Sequence, residues 1–112
     1  MIRRVERGAD MSKLVKVAQT ADLSPGEGKT VEADGTPIAL FNVGGAFHAL
    51  HNTCLHKGGP LGEGFLEGQV VTCPWHGWKY DCTTGVSKTN PAAKVQVFRV
   101  KVQGSDVFVE LP

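Results

Sequence analysis

The sequence predicts an all-β fold, a small sandwich or barrel whose run of strands is broken by one glycine-rich stretch. Three observations carry this expectation. Short segments rich in apolar and β-branched residues recur at regular spacing, with turn residues between them. No segment sustains the apolar period of an amphipathic helix. Between Asn52 and Gly68 the strand pattern lapses, where Gly58, Gly59, Pro60, Gly62, Gly64 and Gly68 crowd together.

Lys13–Val17 reads as a short first strand, and Thr20–Ser24 as one helical turn ahead of Pro25. Lys29–Ala33 and Pro37–Val43 are the next strands, with Asp34-Gly35 as the turn signal between them. Gly44-Gly45 then separates Ile38–Val43 from Ala46–His51, because glycine tolerates the positive φ a tight hairpin demands. After the lapse, Gln69–Thr72 resumes as a strand and Gly77–Asp81 is a further candidate. A loop rich in Thr, Gly, Pro and Asn runs to Ala92. Val95–Val102 and Val107–Leu111 close the chain as a hairpin around Gln103–Asp106. No internal repeat and no linker divides the chain.

A chain of 112 residues suits one domain. A domain of this size buries roughly two-thirds of its unfolded surface, enough for a core of its own. Apolar residues at 41% and charged residues at 21% argue against disorder. A net charge of +1 without a clustered basic face points to neither nucleic acid nor an anionic membrane as partner. No apolar run approaches the ~20 residues that span a bilayer. Met1–Asp10 is charged and lacks the apolar region of a secretory signal, so a cytoplasmic location is the default expectation. Met11 is an alternative start; residues 1–11 are expected to be a flexible extension and 12–112 the domain. Three cysteines, an odd number, read better as metal ligands or buried thiols than as a disulfide framework.

Two pairs of ligand-type residues stand out, Cys54-Leu55-His56 and Cys73-Pro74-Trp75-His76, with sixteen residues between His56 and Cys73. Each pair follows a strand and sits in a loop bearing Gly or Pro. Two such loops side by side offer two thiolates and two imidazoles to one metal centre. Gly58, Gly59 and Gly77 let the backbone approach closely and offer N–H groups to sulfur. The same donors suit zinc, although a tight C-x-H is unusual in structural zinc sites, whose first pair is normally C-x₂₋₄-C. His48 and His51, on the strand leading into the first pair, read as ordinary strand histidines because four ligands are already present.

Cys54-Leu55-His56-Lys57-Gly58-Gly59-Pro60-Leu61 and Cys73-Pro74-Trp75-His76-Gly77-Trp78-Lys79-Tyr80-Asp81 resemble the two cluster boxes of Rieske proteins, in the branch of bacterial Rieske-type ferredoxins. The boxes and their spacer cover about a quarter of the chain. The resemblance implies a β fold with an inserted two-loop cluster-binding subdomain at about 52–81. It implies one [2Fe–2S] cluster, with Cys54 and Cys73 on the inner iron and His56 and His76 on the outer one. Mixed ligation raises the potential relative to all-cysteine clusters. The reason is electrostatic: two ferric ions, two sulfides and two thiolates sum to zero charge, whereas four thiolates leave the cluster anionic and repel the incoming electron.

The residues around the ligands refine this. High-potential relatives join their loops by a disulfide, at positions held here by Gly59 and Trp75. They place a Ser two residues and a Tyr four residues beyond the second histidine, where this chain has Trp78 and Tyr80. One hydroxyl donor therefore remains where two are usual, which points to a low-potential ferredoxin. Trp75 and Trp78 either shield the centre or offer an apolar docking surface. Lys57 and Lys79 are scattered surface lysines or steer an acidic partner. Cys82 is expected to be a buried, inert thiol.

By resemblance the chain carries single electrons from a flavin-dependent NAD(P)H reductase to a terminal oxygenase of the kind that hydroxylates aromatic rings. Both partners would dock transiently at the His56/His76 tip. The chain is not expected to be an enzyme itself, because no further His/His/carboxylate set follows for a mononuclear iron. Two alternatives are the small subunit of an assimilatory nitrite reductase, which shares the fold, and a zinc-stabilised interaction module.

Overall fold

In a computed structural model that describes residues 13–55, 58–75 and 77–111, nine strands form two antiparallel sheets among the described residues. The expected extension over 1–11 lies outside them, as do His56, Lys57 and His76. The strands are β1 (Lys13–Gln19), β2 (Gly28–Ala33), β3 (Thr36–Val43), β4 (Ala46–His51), β5 (Phe65–Glu67), β6 (Val70–Thr72), β7 (Lys79–Asp81), β8 (Val97–Gln103) and β9 (Asp106–Leu111). One sheet runs β1-β9-β8-β4-β3-β2 and the other β5-β6-β7. Short 3₁₀ turns occupy Thr20–Asp22 and Leu61–Glu63.

The six-stranded sheet curls on itself. Its two ends, β1 and β2, come into contact, and Lys13 of β1 forms an ion pair with Asp34 in the β2–β3 turn. That turn has Asp34 at φ 50° and Gly35 at φ 84°, the double positive φ of a tight hairpin. Inside the curl lie Ala18, Ala33, Ile38, Leu40, Ala49, Phe98, Val107, Val109 and Leu111, drawn from all six strands. At β4–β8 the curl is held by two ladder pairs, Ala49↔Phe98 and Leu50↔Val97, continued by the His51 N–H donating to the Gln96 carbonyl at 2.8 Å.

The opposite face of β3 and β4 is also buried. Ala39, Phe41 and Leu50 pack against Leu61, Val71, Tyr80, Cys82 and Val95, and this second core holds Cys54 and Cys73. Alternation along β3 therefore sends Ile38 and Leu40 into the curl and Ala39 and Phe41 toward the small sheet.

Three differences from the sequence-based expectation have a local reason, and the other strand ends fall within two residues of it. β5 lies inside the glycine-rich stretch read as strandless; three residues between Gly64 and Gly68 are too few to show a period. β7 starts at Lys79 and not Gly77, because the Gly77 N–H is turned to the Cys73 carbonyl. β8 starts at Val97 and not Val95, because the Val95 N–H bonds to the Gly85 carbonyl, 3.0 Å away.

The two parts are clipped together at Asn52. Its Oδ1 accepts from the Gly62 N–H at 2.7 Å and from the Thr30 hydroxyl at 3.2 Å. The Leu61–Glu63 turn thus sits directly on β2. A Cβ at Gly62 would lie 2.5 Å from Thr30 Oγ1 and 2.6 Å from Thr30 N. Gly62→Ala is therefore expected to destabilise the fold by about 1–3 kcal/mol, lowering the thermal midpoint by about 4–8 °C per kcal/mol. Thermal unfolding by far-UV circular dichroism checks this; an unchanged midpoint would mean the turn is not seated on β2.

Candidate metal centre

Both ligand loops are built as the same turn. The first leaves the end of β4 and closes in rungs. The Leu61 N–H donates to the Asn52 carbonyl at 2.7 Å, Thr53 bridges Pro60, and the Cys54 N–H donates to the Gly59 carbonyl at 2.9 Å. The second hangs between β6 and β7, where the Cys73 N–H donates to the Trp78 carbonyl at 2.7 Å. In each loop the cysteine carbonyl receives an N–H from the glycine four residues on, Gly58 at 2.8 Å and Gly77 at 3.1 Å. Those glycines have φ of 78° and 80°, a left-handed conformation that other residues resist. This corrects one expectation: the N–H groups of Gly58 and Gly77 close the turns onto carbonyls instead of being offered to sulfur.

Close approach to sulfur falls to Gly59. A Cβ there would lie 2.7 Å from Cys73 Sγ and 3.0 Å from Trp75 Cγ, so the backbone of one loop lies against the sulfur of the other. The Gly59–Trp75 pair, where high-potential relatives place a disulfide, is here a ring packed on a glycine. Cys54 and Cys73 are each 2% exposed. Tyr80, from β7, is fully buried and reaches across to the first loop: its hydroxyl lies 3.3 Å from Cys54 Sγ and accepts the Leu55 N–H at 3.0 Å. Burial, reinforced by the contact with Cys54, raises the phenol well above its usual pKa, so it stays protonated.

The remaining expected residues fall as follows. Trp75 is 58% exposed, whereas Trp78 is half-buried with its ring centroid 6.5 Å from that of Tyr80. Lys79 extends over the small sheet to the Thr72 hydroxyl, 3.3 Å away. His51 ends β4 with Nδ1 accepting the Thr53 N–H at 3.2 Å, and His48 pairs with Phe41 across the ladder. Cys82 is fully buried and in no disulfide; burial, with the Asp81 charge beside it, pushes its thiol up to about 12.

Two contributors went unnoticed in the sequence. Asn52 anchors the first loop, and only its place just ahead of Cys54 could have hinted at it. Ser87, fully buried, accepts the Thr89 and Asn90 N–H groups and folds the following loop back onto Tyr80 through a β-bridge.

Two buried sulfurs, brought together by loops of matching geometry and served by a buried hydroxyl, fit a thiolate-bound centre. Among the described residues no group of three or more His, Cys, Asp or Glu side chains converges; the two histidines of the motif lie outside them.

Comparison with known proteins gives the centre a family. Residues 13–102 match the Rieske [2Fe-2S] domain. The ferredoxin component of biphenyl 2,3-dioxygenase from Rhodococcus jostii (strain RHA1) is 42% identical over 99 residues, covering 88% of this chain and 92% of that protein. A chain from the complex of reduced oxygenase and oxidized ferredoxin in carbazole 1,9a-dioxygenase is 36% identical with a TM-score of 0.79, covering 86% of this chain and 91% of that one. A structure assigned as an NADH-dependent nitrite reductase small subunit from Mycobacterium tuberculosis reaches a TM-score of 0.84 at 23% identity, covering 92% of this chain and 98% of that one, a likeness of fold alone.

Substitution should separate the residues at the centre from the bystander. Gly59→Ala is expected to cost the protein most of its bound iron and acid-labile sulfide, because the new methyl group would displace Cys73 Sγ. Cys82→Ala should leave iron, sulfide and visible spectrum as in the parent. Loss of iron in a folded Cys82→Ala variant would mean that the ligand set is wrongly assigned.

Proposed function

Because the chain belongs to the Rieske [2Fe-2S] domain family, we propose that it is a one-electron carrier, a ferredoxin that takes electrons from a flavin-dependent NAD(P)H reductase and delivers them to a terminal aromatic-ring-hydroxylating oxygenase. The observation that carries this reading is the pair of buried cysteine turns with the Tyr80 hydroxyl at Cys54 Sγ. It is supported by a relative, similar over nearly its whole length, that is the ferredoxin component of a dioxygenase. The chain is the electron carrier of such a system, not its catalytic subunit.

Cys54 and Cys73 would hold one iron and His56 and His76 the other. When bound, the cluster supplies a centre that accepts and releases a single electron. The chain's own residues set how readily it does so. With Cys54 bound as a thiolate, the Tyr80 hydroxyl 3.3 Å away would donate to its Sγ and withdraw electron density from it, which favours the added electron. Trp78 brings no hydroxyl to the position where high-potential relatives carry a serine. The Gly59–Trp75 contact stands in for a disulfide without its covalent constraint. With one hydroxyl donor instead of two, the potential belongs near the low end of the Rieske range. That suits a donor that a nicotinamide-linked reductase must be able to reduce.

Docking is proposed at the two ligand loops, which bear His56 and His76 in sequence. The neighbouring Trp75 is 58% exposed, an apolar surface suited to transient contact. Pairing with an oxygenase is supported by the carbazole 1,9a-dioxygenase complex, in which a related ferredoxin is bound to its oxygenase. The location is assigned to the cytoplasm, where NAD(P)H is available; no helix among the described residues is long and apolar enough to cross a membrane. The nitrite reductase alternative shares the fold at 23% identity, and no feature of the centre favours it.

Purified protein should be reddish-brown and, when reduced, give the low-average-g EPR signal of mixed His/Cys ligation. Stoichiometric zinc without iron or sulfide would defeat the assignment. Protein-film voltammetry should place the midpoint near the low end of a range that spans roughly −150 to +300 mV, and Trp78→Ser should raise it. A midpoint well above zero would argue for a respiratory type of centre. Turnover with a reductase and an oxygenase from the same organism should cease when this protein is left out.

A further inference from the structure

The Tyr80 hydroxyl has one proton and, among the described residues, two hydrogen-bonding neighbours. The amide nitrogen of Leu55, 3.0 Å away, can only donate to it. Cys54 Sγ, 3.3 Å away, is a thiolate when it binds metal and can only accept. The amide therefore occupies a lone pair of the phenol oxygen and leaves the phenol proton no better destination than sulfur. We propose that the backbone N–H of Leu55 is a positioning group that orients the Tyr80 hydroxyl toward Cys54 Sγ and strengthens its donation, thereby holding up the reduction potential. This rests on the reading of Cys54 as a cluster ligand.

The surroundings agree. The backbone of Tyr80 is held by its ladder with Val71 on one side and its bridge to Ser87 on the other, and its ring is fully buried, so hydroxyl rotation is the freedom left to be decided. Hydrogen bonds in series polarise one another, and burial makes that effect larger than it would be in water. The Leu55 side chain is 53% exposed while Tyr80 is fully buried, so position 55 serves Tyr80 through its amide and not through its side chain. A peptide N–H that belongs to the first loop thus tunes a hydroxyl delivered by the strand after the second.

The test compares Leu55→Ala, which keeps the amide, with Leu55→Pro, which removes it, each alone and in a Tyr80→Phe background. EPR of the reduced parent establishes first that the cluster is present; absence of its signal there would refute the cluster reading itself, not the role of the amide. Midpoint potentials by film voltammetry then decide the proposal. Leu55→Ala should leave the potential in place. Leu55→Pro should lower it by a substantial part of the shift produced by Tyr80→Phe, and the double variant should fall no lower than Tyr80→Phe alone. Equal potentials for Leu55→Ala and Leu55→Pro would overturn the proposal, as would a proline effect that persists without the tyrosine hydroxyl. If the proline variant does not load its cluster, replacing Leu55 by its α-hydroxy acid deletes the same N–H while keeping side chain and backbone freedom. The same downward shift is expected, and its absence overturns the proposal.

Discussion

Ile38 and Leu40 point one way from β3, Ala39 and Phe41 the other, and all four are fully excluded from solvent. This double burial is the constraint on which the rest of the molecule depends. A sheet with one wet face would need a single core. Because β3 and its neighbour β4 are apolar on both sides, a second layer must cover them, and the small sheet with its two loops is that layer. The cysteine sulfurs are members of the second core, packed with Phe41, Leu61, Val71 and Tyr80. Water is therefore kept from them by the same contacts that complete the fold.

Within that layer the two loops are alike in backbone and unlike in what they receive. Each cysteine turn is closed by the same pair of hydrogen bonds around a glycine of positive φ. Yet the tyrosine that follows the second cysteine serves the first, so Tyr80 ties one loop to the other across the centre. Gly59 ties them in the opposite direction, placing first-loop backbone against second-loop sulfur. The loops cannot shift independently without breaking one of these contacts, which fixes the sulfurs relative to each other without a disulfide.

The strands were legible in the sequence wherever a turn residue with a defined conformation bounded an apolar run. Asp34-Gly35 and Gly44-Gly45 mark hairpins that form as expected, with positive φ at each of the four residues. The ligand pairs were legible because two such motifs in order are rare by chance. What the sequence concealed was contact between distant segments. Nothing in Asn52 announces that its amide will clip Gly62 to Thr30, and Ser87 resembles any other loop serine until its loop is folded back onto Tyr80. β5 was hidden for a different reason: three residues between glycines become a strand only by pairing with β6. Tyr80 was recognised as a hydroxyl donor, but its choice between the two sulfurs depends on tertiary geometry, which spacing does not encode.

The β1–β9 ladder pairs Lys13 with Leu111, and this has a consequence for how the protein is made. The core inside the curl needs Val107, Val109 and Leu111, so it stays open until Leu111 has left the ribosome. Among the described residues, the core that holds the cysteines draws on residues between Ala39 and Val95. During vectorial synthesis the half of the molecule that receives iron has all its parts before the half that seals the sheet. The nascent chain thus has a window in which its metal-binding half is complete and its closure, a pairing of very high contact order, is still to come.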